Sequence, residues 1–302
     1  MNSLKDIGEF GLIERIRHKL RPGTSVVKGI GDDAAVIKLG RDKYLLLTCD
    51  MLVEDVHFSL TRATPYQIGH KALASSISDI ASMGGLPKEA LVSLGISPGR
   101  SVKFTDQLFN GLRKLAAEFK ISLVGGDITR SKKLVINICL TGRVKKKNLL
   151  LRSGARFNDA ILVTGRLGGA GRGKHLRFRP RLKEARFLVN KFKINSMIDI
   201  SDGLVQDLGQ ITRESNLGAL IYQRDIPVSA RSSFKSALED GEDFELLFTM
   251  PKNEARRLLK NYPRIYTTPV KMIGQIIKQK EIFLIDKNGI RRKLGLKGWR
   301  HF

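Results

Sequence analysis

Two hydrophobic periods alternate along the chain. Short apolar runs at 44–48 and 160–164 predict buried strands, and 34–39, 134–140, 217–222, 245–249, 270–276 and 282–285 predict others. Between them, apolar residues recur every three or four positions. Pro65 opens a helix that places Leu73, Ile77 and Ile80 on one face and stops at Gly84-Gly85. Further helices are expected at 104–119, 182–192 and 253–261, with a short amphipathic one at 8–20. Ser201 is the expected N-cap of another, whose Leu204, Leu208 and Ile211 form an apolar stripe. Asn288-Gly289 marks a tight hairpin. Strands and helices alternate in both halves, which predicts an α/β (α+β) protein of two domains. Lys145 to Lys147 and the following turn are the expected boundary, dividing the chain into 1–145 and 146–302.

Composition narrows the classes. Hydrophobic content is 42%, and no stretch approaches the ~18 apolar residues of a membrane span. The N-terminus carries no apolar signal core. Two cysteines, Cys49 and Cys139, suit a reducing cytoplasm, and neither belongs to a zinc-like cluster. With 54 Lys+Arg against 29 Asp+Glu, the formal charge is +25. The basic clusters at 145–147, 177–186, 256–257 and 291–293 are dispersed, and no nucleic-acid module accompanies them. The expectation is a solvated basic surface that attracts anionic metabolites, not a nucleic-acid partner.

Against that background the placement of the acidic residues is informative. Many sit in short glycine-, serine- or threonine-rich stretches: Gly31-Asp32-Asp33, Thr48-Cys49-Asp50, Ser78-Asp79, Gly125-Gly126-Asp127, Asp199-Ile200-Ser201-Asp202-Gly203 and Gly241-Glu242-Asp243. Converging carboxylates repel one another, and hard cations such as Mg²⁺ relieve that repulsion while binding phosphate oxygens. A metal–phosphate site is therefore the first functional expectation. Asp50 is expected just past the end of its strand. Asp79 lies beside Ile77, Ile80 and Met83 and needs a partner if buried. The helix start near Ser201, flanked by Asp199 and Asp202, suits a phosphate.

The run Gly-Gly-Ala-Gly-Arg-Gly-Lys-His at 168–175 lacks only the final hydroxyl of a P-loop. Arg177, Arg179, Pro180 and Arg181 spoil the helix that should follow, so a flexible basic loop that touches phosphate is expected instead.

Taken together and in order, these stretches resemble the thiamine-monophosphate kinase family, within the superfamily of aminoimidazole-ribonucleotide and selenophosphate synthetases. The resemblance runs from Gly8-Glu9-Phe10 through Gly29 to Ala34, Asp50 to Phe58, Ser78 to Gly85, Gly125-Gly126-Asp127, Arg152 to Arg156, Met197 to Leu204 and Gly241 to Leu246. It closes on Gly298-Trp299-Arg300-His301-Phe302. It implies a two-domain aminoimidazole-ribonucleotide-synthetase-like fold, with a mixed N-terminal sheet and a C-terminal α/β domain. It also implies ATP-dependent phosphorylation of thiamine monophosphate to thiamine diphosphate, several Mg²⁺ ions in a cleft between the domains, and a homodimer formed through N-terminal strands. Carried over by position, Asp33, Thr48, Asp50, Asp79, Asp127, Asp199 and Asp202 are the metal residues, with Cys49 contributing its backbone. Gly126, Asp127, Arg152 and Ser201 contact ATP, and His57, Glu242 and Trp299 face thiamine monophosphate. No general base is required, because the attacking phosphate oxygen is already anionic.

The chain departs from the family at several points. The basic loop at 168–174 replaces a Gly-Asp-Ser-Ala-Ala-Gly-Leu run. Ser76 stands where asparagine is usual, Cys49 where threonine is usual, and Asn110 where an aromatic often sits. The sister selenophosphate synthetases are disfavoured, because no reactive cysteine lies near an N-terminal glycine-rich loop.

Overall fold

The computed structural model describes residues 3–299 and 301; Arg300 and Phe302 of the closing motif lie outside the described residues. The first half runs α1 (Leu4–Lys19), β1 (Val26–Lys28), β2 (Ala35–Lys38), β3 (Lys43–Val53), α2 (Pro65–Ser82), β4 (Leu86–Ile96), α3 (Val102–Phe119), β5 (Ser122–Arg130) and β6 (Val135–Lys145). Its strands form one sheet in the order β1-β2-β3-β6-β4-β5, antiparallel except for the parallel β4/β5 pair. The second half runs β7 (Ala160–Thr164), α4 (Leu182–Lys191), β8 (Ser196–Asp199), α5 (Leu204–Glu214), β9 (Gly218–Tyr222), α6 (Phe234–Glu239), β10 (Leu246–Met250), α7 (Lys252–Asn261), β11 (Val270–Ile277), β12 (Ile282–Ile285) and β13 (Arg291–Leu294). These strands form a second sheet, β13-β12-β9-β11-β7-β10-β8, in which only β12/β9 is parallel.

The two sheets are covered differently, and the sequence patterns follow from that. Strands β7, β8 and β10 are buried along their whole length. Ile161 and Val163 pack in the cluster that includes α5, whereas Ala160 and Leu162 pack in the one that includes α4 and α7. A strand covered on both faces has no polar side, hence the unbroken apolar runs. In the first sheet β3 alternates, with Leu46, Thr48 and Leu52 buried and Leu47, Cys49 and Met51 exposed. Only its inner face carries helices.

Helix α2 joins the halves. Thr64 caps it in a reciprocal box with Gln67, and Pro65 occupies the first turn, where its missing N–H costs nothing. It packs on α3 at two glycines: a Cβ on Gly69 would stand 2.0 Å from the Leu108 carbonyl oxygen, and one on Gly111 2.0 Å from that of Tyr66. On its other sides α2 meets the first sheet, α4 and β8. Gly84 ends it with φ +72°, where a Cβ would meet the Asn148 carbonyl oxygen at 2.3 Å.

Three local expectations change. Strand β3 extends to Val53, so Asp50 lies within the strand, on the inner face shared by Thr48 and Leu52. The N-terminal helix begins at Leu4, bends at Gly8 (φ 63°) and buries no residue fully. Ser201 does not cap α5. The cap position is Gly203, and the Asp207 carboxylate accepts the Asp202 and Gly203 N–H groups at 3.0 and 3.1 Å. The Asp207 carboxylate thus orders the backbone just before the helix.

Candidate active site

One face of α2 supplies hydroxyls to carboxylates carried by other elements. Ser76 Oγ donates to Asp50 of β3 at 2.9 Å, Ser78 Oγ to Asp199 at the end of β8 at 2.5 Å, and Ser82 Oγ to Asp33 before β2. Thr48 Oγ1 of β3 donates back to Asp79 of α2. Strand alternation puts Thr48 and Asp50 on the inner side, and the helical repeat lines up Ser75, Ser78, Asp79 and Ser82 opposite them. Asp33, Asp50, Asp79 and Asp199 are thereby brought together through one helix.

The electrostatics of this cluster are unfavourable as it stands. Burial, then the charges of Asp50, Asp199 and Asp33, hold Asp79 well above the ordinary carboxylate range. Asp199 is raised by burial and by Asp33, and Asp50 by burial against the opposing hydrogen bonds of Ser76 and Ser75. Arg152 is the near cation. Its Nε and Nη2 donate to Asp33 Oδ1 at 2.9 and 2.7 Å, and its backbone N–H donates to Asp32 at 3.1 Å. Asp202 and Asp207 continue the acidic set: burial and then Glu9 push Asp202 up to about 6, and burial and then Asp202 raise Asp207 well above its usual value. Oxygen donors raised in this way match what a hard divalent cation requires. Among the described residues, no three His, Cys, Asp or Glu side chains close on a single point as a ready-made cage.

Beside the cluster opens a cleft of ≈ 1290 Å³ whose walls include Asp50, Asp79, Ser201, Asp202, His57, Glu242, His175 and Trp299. The three residues expected to face the substrate, His57, Glu242 and Trp299, therefore share one cavity with part of the acidic set. The Trp299 backbone N–H donates to the Asp202 carbonyl oxygen at 2.9 Å, and its side chain stands at the rim, about half exposed.

The near-P-loop is tied to carboxylates of the chain itself. The N–H groups of Gly168 and Gly169 donate to Asp243 at 2.6 and 3.2 Å, and Lys174 Nζ reaches Asp243 at 3.3 Å and Glu245 at 3.0 Å. The buried Asp243 carboxylate thus accepts the donors of this glycine-rich turn. Arg181 holds Glu245 in turn, at 2.6 and 2.7 Å. Burial alone would raise Glu245, but the hydrogen bonds and charge of Arg181, with Lys174, keep it below the ordinary glutamate value. The loop is anchored, and Ala170, Gly171 and His175 form part of the cleft wall.

Gly126 and Asp127 stand apart from the cluster, whereas Cys49 adjoins Asp50 and lines the same cleft. Cys49 points to the outer face of the first sheet, its Sγ 3.2 Å from Asn137 Oδ1. Asp127 lies exposed on edge strand β5, separated from β3 by β4 and β6, and no side-chain hydrogen bond or ion pair joins it to the described residues. Gly126 is needed for packing: a Cβ there would meet the Val92 carbonyl oxygen at 1.8 Å. Sequence reasoning missed Ser82, Asp207 and Lys71, and it named Asp32, Ser78 and Asp243 within the acidic stretches without giving them a role. For the two serines a signal existed, since Ser75-Ser76-Ile77-Ser78 is a polar interruption in an apolar helix.

Comparison with known proteins places this architecture. Residues 31–144 match the family model described as AIR synthase related protein, N-terminal domain, and residues 149–287 match the corresponding C-terminal domain. The fold is that of an AIR synthase related protein. The thiamine-monophosphate kinase of Bacillus subtilis (strain 168) is 34% identical, with 97% of this chain and 99% of that protein covered. The solved structure of AaThiL complexed with AMPPCP and TMP superposes with a TM-score of 0.87 at 31% identity, covering 100% of this chain and 99% of that one. The thiamine-monophosphate kinase from Stenotrophomonas maltophilia K279a gives a TM-score of 0.75 at 30% identity, over 91% and 96% of the two chains. The chain belongs to the thiamine-monophosphate kinase family.

Proposed function

We propose that the protein transfers the γ-phosphoryl group of ATP to thiamine monophosphate, forming thiamine diphosphate. The carrying observation is the juxtaposition of buried Asp50 and Asp79 with His57, Glu242 and Trp299 in one cleft. A family member bound to AMPPCP and TMP superposes on the whole chain, which supports the same reading. Trp299 offers a flat aromatic face and Glu242 a carboxylate, a pairing suited to a cationic aromatic ring. The acceptor oxygen is a phosphate oxygen, anionic at neutral pH, so the reading assigns no side chain as general base.

The donor set fits Mg²⁺, held in this reading by Asp33, Asp50, Asp79, Asp199 and Asp202, with Thr48 and the Cys49 backbone beside them. When bound, the metal supplies charge neutralisation and alignment of the two phosphate groups. The chain's own contribution is to hold these carboxylates through α2, to keep Arg152 beside Asp33, and to present Ser201 to the nucleotide. Asp127 would lie three inter-strand spacings from Asp50, about 14 Å. We therefore assign Asp127 and Gly126 to the site of a second copy in a homodimer. Leu47, Met51 and Leu91, exposed on the outer face of the first sheet, support that interface. The +25 charge needs no nucleic-acid partner, because both reactants are anions. Two free thiols support a cytoplasmic location, and among the described residues no helix is long and apolar enough to cross a membrane.

The test is turnover by purified protein with ATP, Mg²⁺ and thiamine monophosphate, with thiamine as the control acceptor. Thiamine diphosphate should form from the monophosphate alone, and Asp50→Ala should lower kcat by ~10²-fold or more. No product with wild type would overturn the activity. An Asp50→Ala variant within a few-fold of wild type would overturn the metal assignment.

A further inference from the structure

Lys71 is a lysine on α2 with no exposed side-chain surface. Its Nζ donates to Glu242 Oε1 and to the carbonyl oxygen of His57. These acceptors come from opposite halves of the chain, and both belong to residues that the proposed function assigns to thiamine monophosphate. We propose that Lys71 is a positioning residue for the acceptor substrate, a buried ammonium that sets the Glu242 carboxylate and the His57 segment in register across the cleft.

The geometry argues for positioning and not for simple packing. Glu242 sits at φ 64°, a left-handed conformation unusual for a side-chain-bearing residue, and its N–H is tied to the Ser201 carbonyl oxygen at 2.7 Å. With the backbone held and Oε1 on Lys71, Oε2 is directed to the cleft side, 4.0 Å from His175 Nε2. His57 is held likewise: its Nδ1 accepts the Val53 N–H at 3.0 Å, which leaves Nε2 to carry the ring proton. An ammonium with no access to water is costly to leave unpaired, so Lys71 keeps both acceptors. Burial pushes Lys71 below its usual range and Glu242 opposes that, as expected for a cation retained by its partner. Lys71 is absent from the cleft lining, so its influence on substrate passes through Glu242 and His57.

The inference rests on the proposed reaction and predicts a specific kinetic split. Lys71→Met, close in shape, should raise KM for thiamine monophosphate about tenfold or more, while KM for ATP and kcat stay within about threefold. Lys71→Met/Glu242→Gln should be no worse than the weaker single variant, because the two residues act as one unit. Calorimetric binding of thiamine monophosphate and thermal melting of each variant separate a substrate effect from a folding effect. Additive losses, or equal losses toward ATP and thiamine monophosphate, would overturn the positioning role and leave the activity standing. If wild type neither binds nor phosphorylates thiamine monophosphate, the reaction and this inference fall together. If Lys71→Met does not fold, Lys71→Gln, which keeps a donor for the His57 carbonyl, takes its place under the same criteria.

Discussion

Asp32 and Asp33 are chain neighbours in different electrostatic situations. Asp33 receives the Arg152 guanidinium, whereas Asp32 accepts only the Arg152 backbone N–H and lies 3.9 Å from Lys28 Nζ. Burial, then the Asp33 charge, pushes Asp32 from 3.8 up to about 7. A carboxyl whose folded value exceeds its unfolded value loses stabilisation as pH rises through that interval, and the full penalty is present above about 7. Asp32→Asn should therefore be more stable than wild type at pH 8 in chelator, by about 1–3 kcal/mol, and melt higher, with the gain fading toward pH 5. Calorimetric melts across that range check it; a lower melting point at pH 8 would show that Lys28 and Arg152 more than offset the burial. At this scale the sequence marked Asp33, Asp50, Asp79 and Asp199, which the fold brings together, through their glycine- and hydroxyl-rich neighbours. It did not show which cation faces which carboxylate. Arg152 and Asp33 are 119 residues apart, and no local pattern encodes that pairing.

Helix α2 shows what an element adds to its residues. Its start at Pro65, its apolar stripe and its stop at the double glycine were all legible, since capping and periodicity are local properties. What it packs against was not. Gly69 and Gly111 let α2 and α3 approach to backbone contact, and that distance decides where Ser76, Ser78 and Asp79 stand relative to β3 and β8. Gly69→Ala should lose about 1–3 kcal/mol in urea unfolding despite alanine's better helix propensity. Gly23→Ala, with nothing within 4 Å of the added Cβ, should change stability by less than about 0.5 kcal/mol. Equal stability of the two variants would show that the helices separate freely. Asp50 and Ser201 carry the same lesson. Strand β3 runs past Asp50 because inward alternation continues through Leu52, and α5 starts at Leu204, with the Asp202 and Gly203 N–H groups before it held by the Asp207 carboxylate.

For the whole molecule, the first sheet has helices on one face only. Leu47 and Met51 share the outer face with Leu91, since Cys49 and Leu91 both register with Cys139. If the proposed homodimer forms through this face, Leu91→Lys should shift it to monomer in light scattering and lower turnover with it; a monomeric wild type, or an unchanged dimer in the variant, would overturn that interface. The sequence by itself determined the alternation of elements, the two-domain class, the family and the inventory of carboxylates, because propensity, periodicity and motif spacing act over a few residues. Only the tertiary structure decided how those groups are used. It joined Lys71 to Glu242 across 171 residues, closed the near-P-loop on Asp243, and left Asp127 on the far edge of its sheet. Such pairings depend on which surfaces meet when two cores pack against one helix, and that outcome belongs to the whole chain.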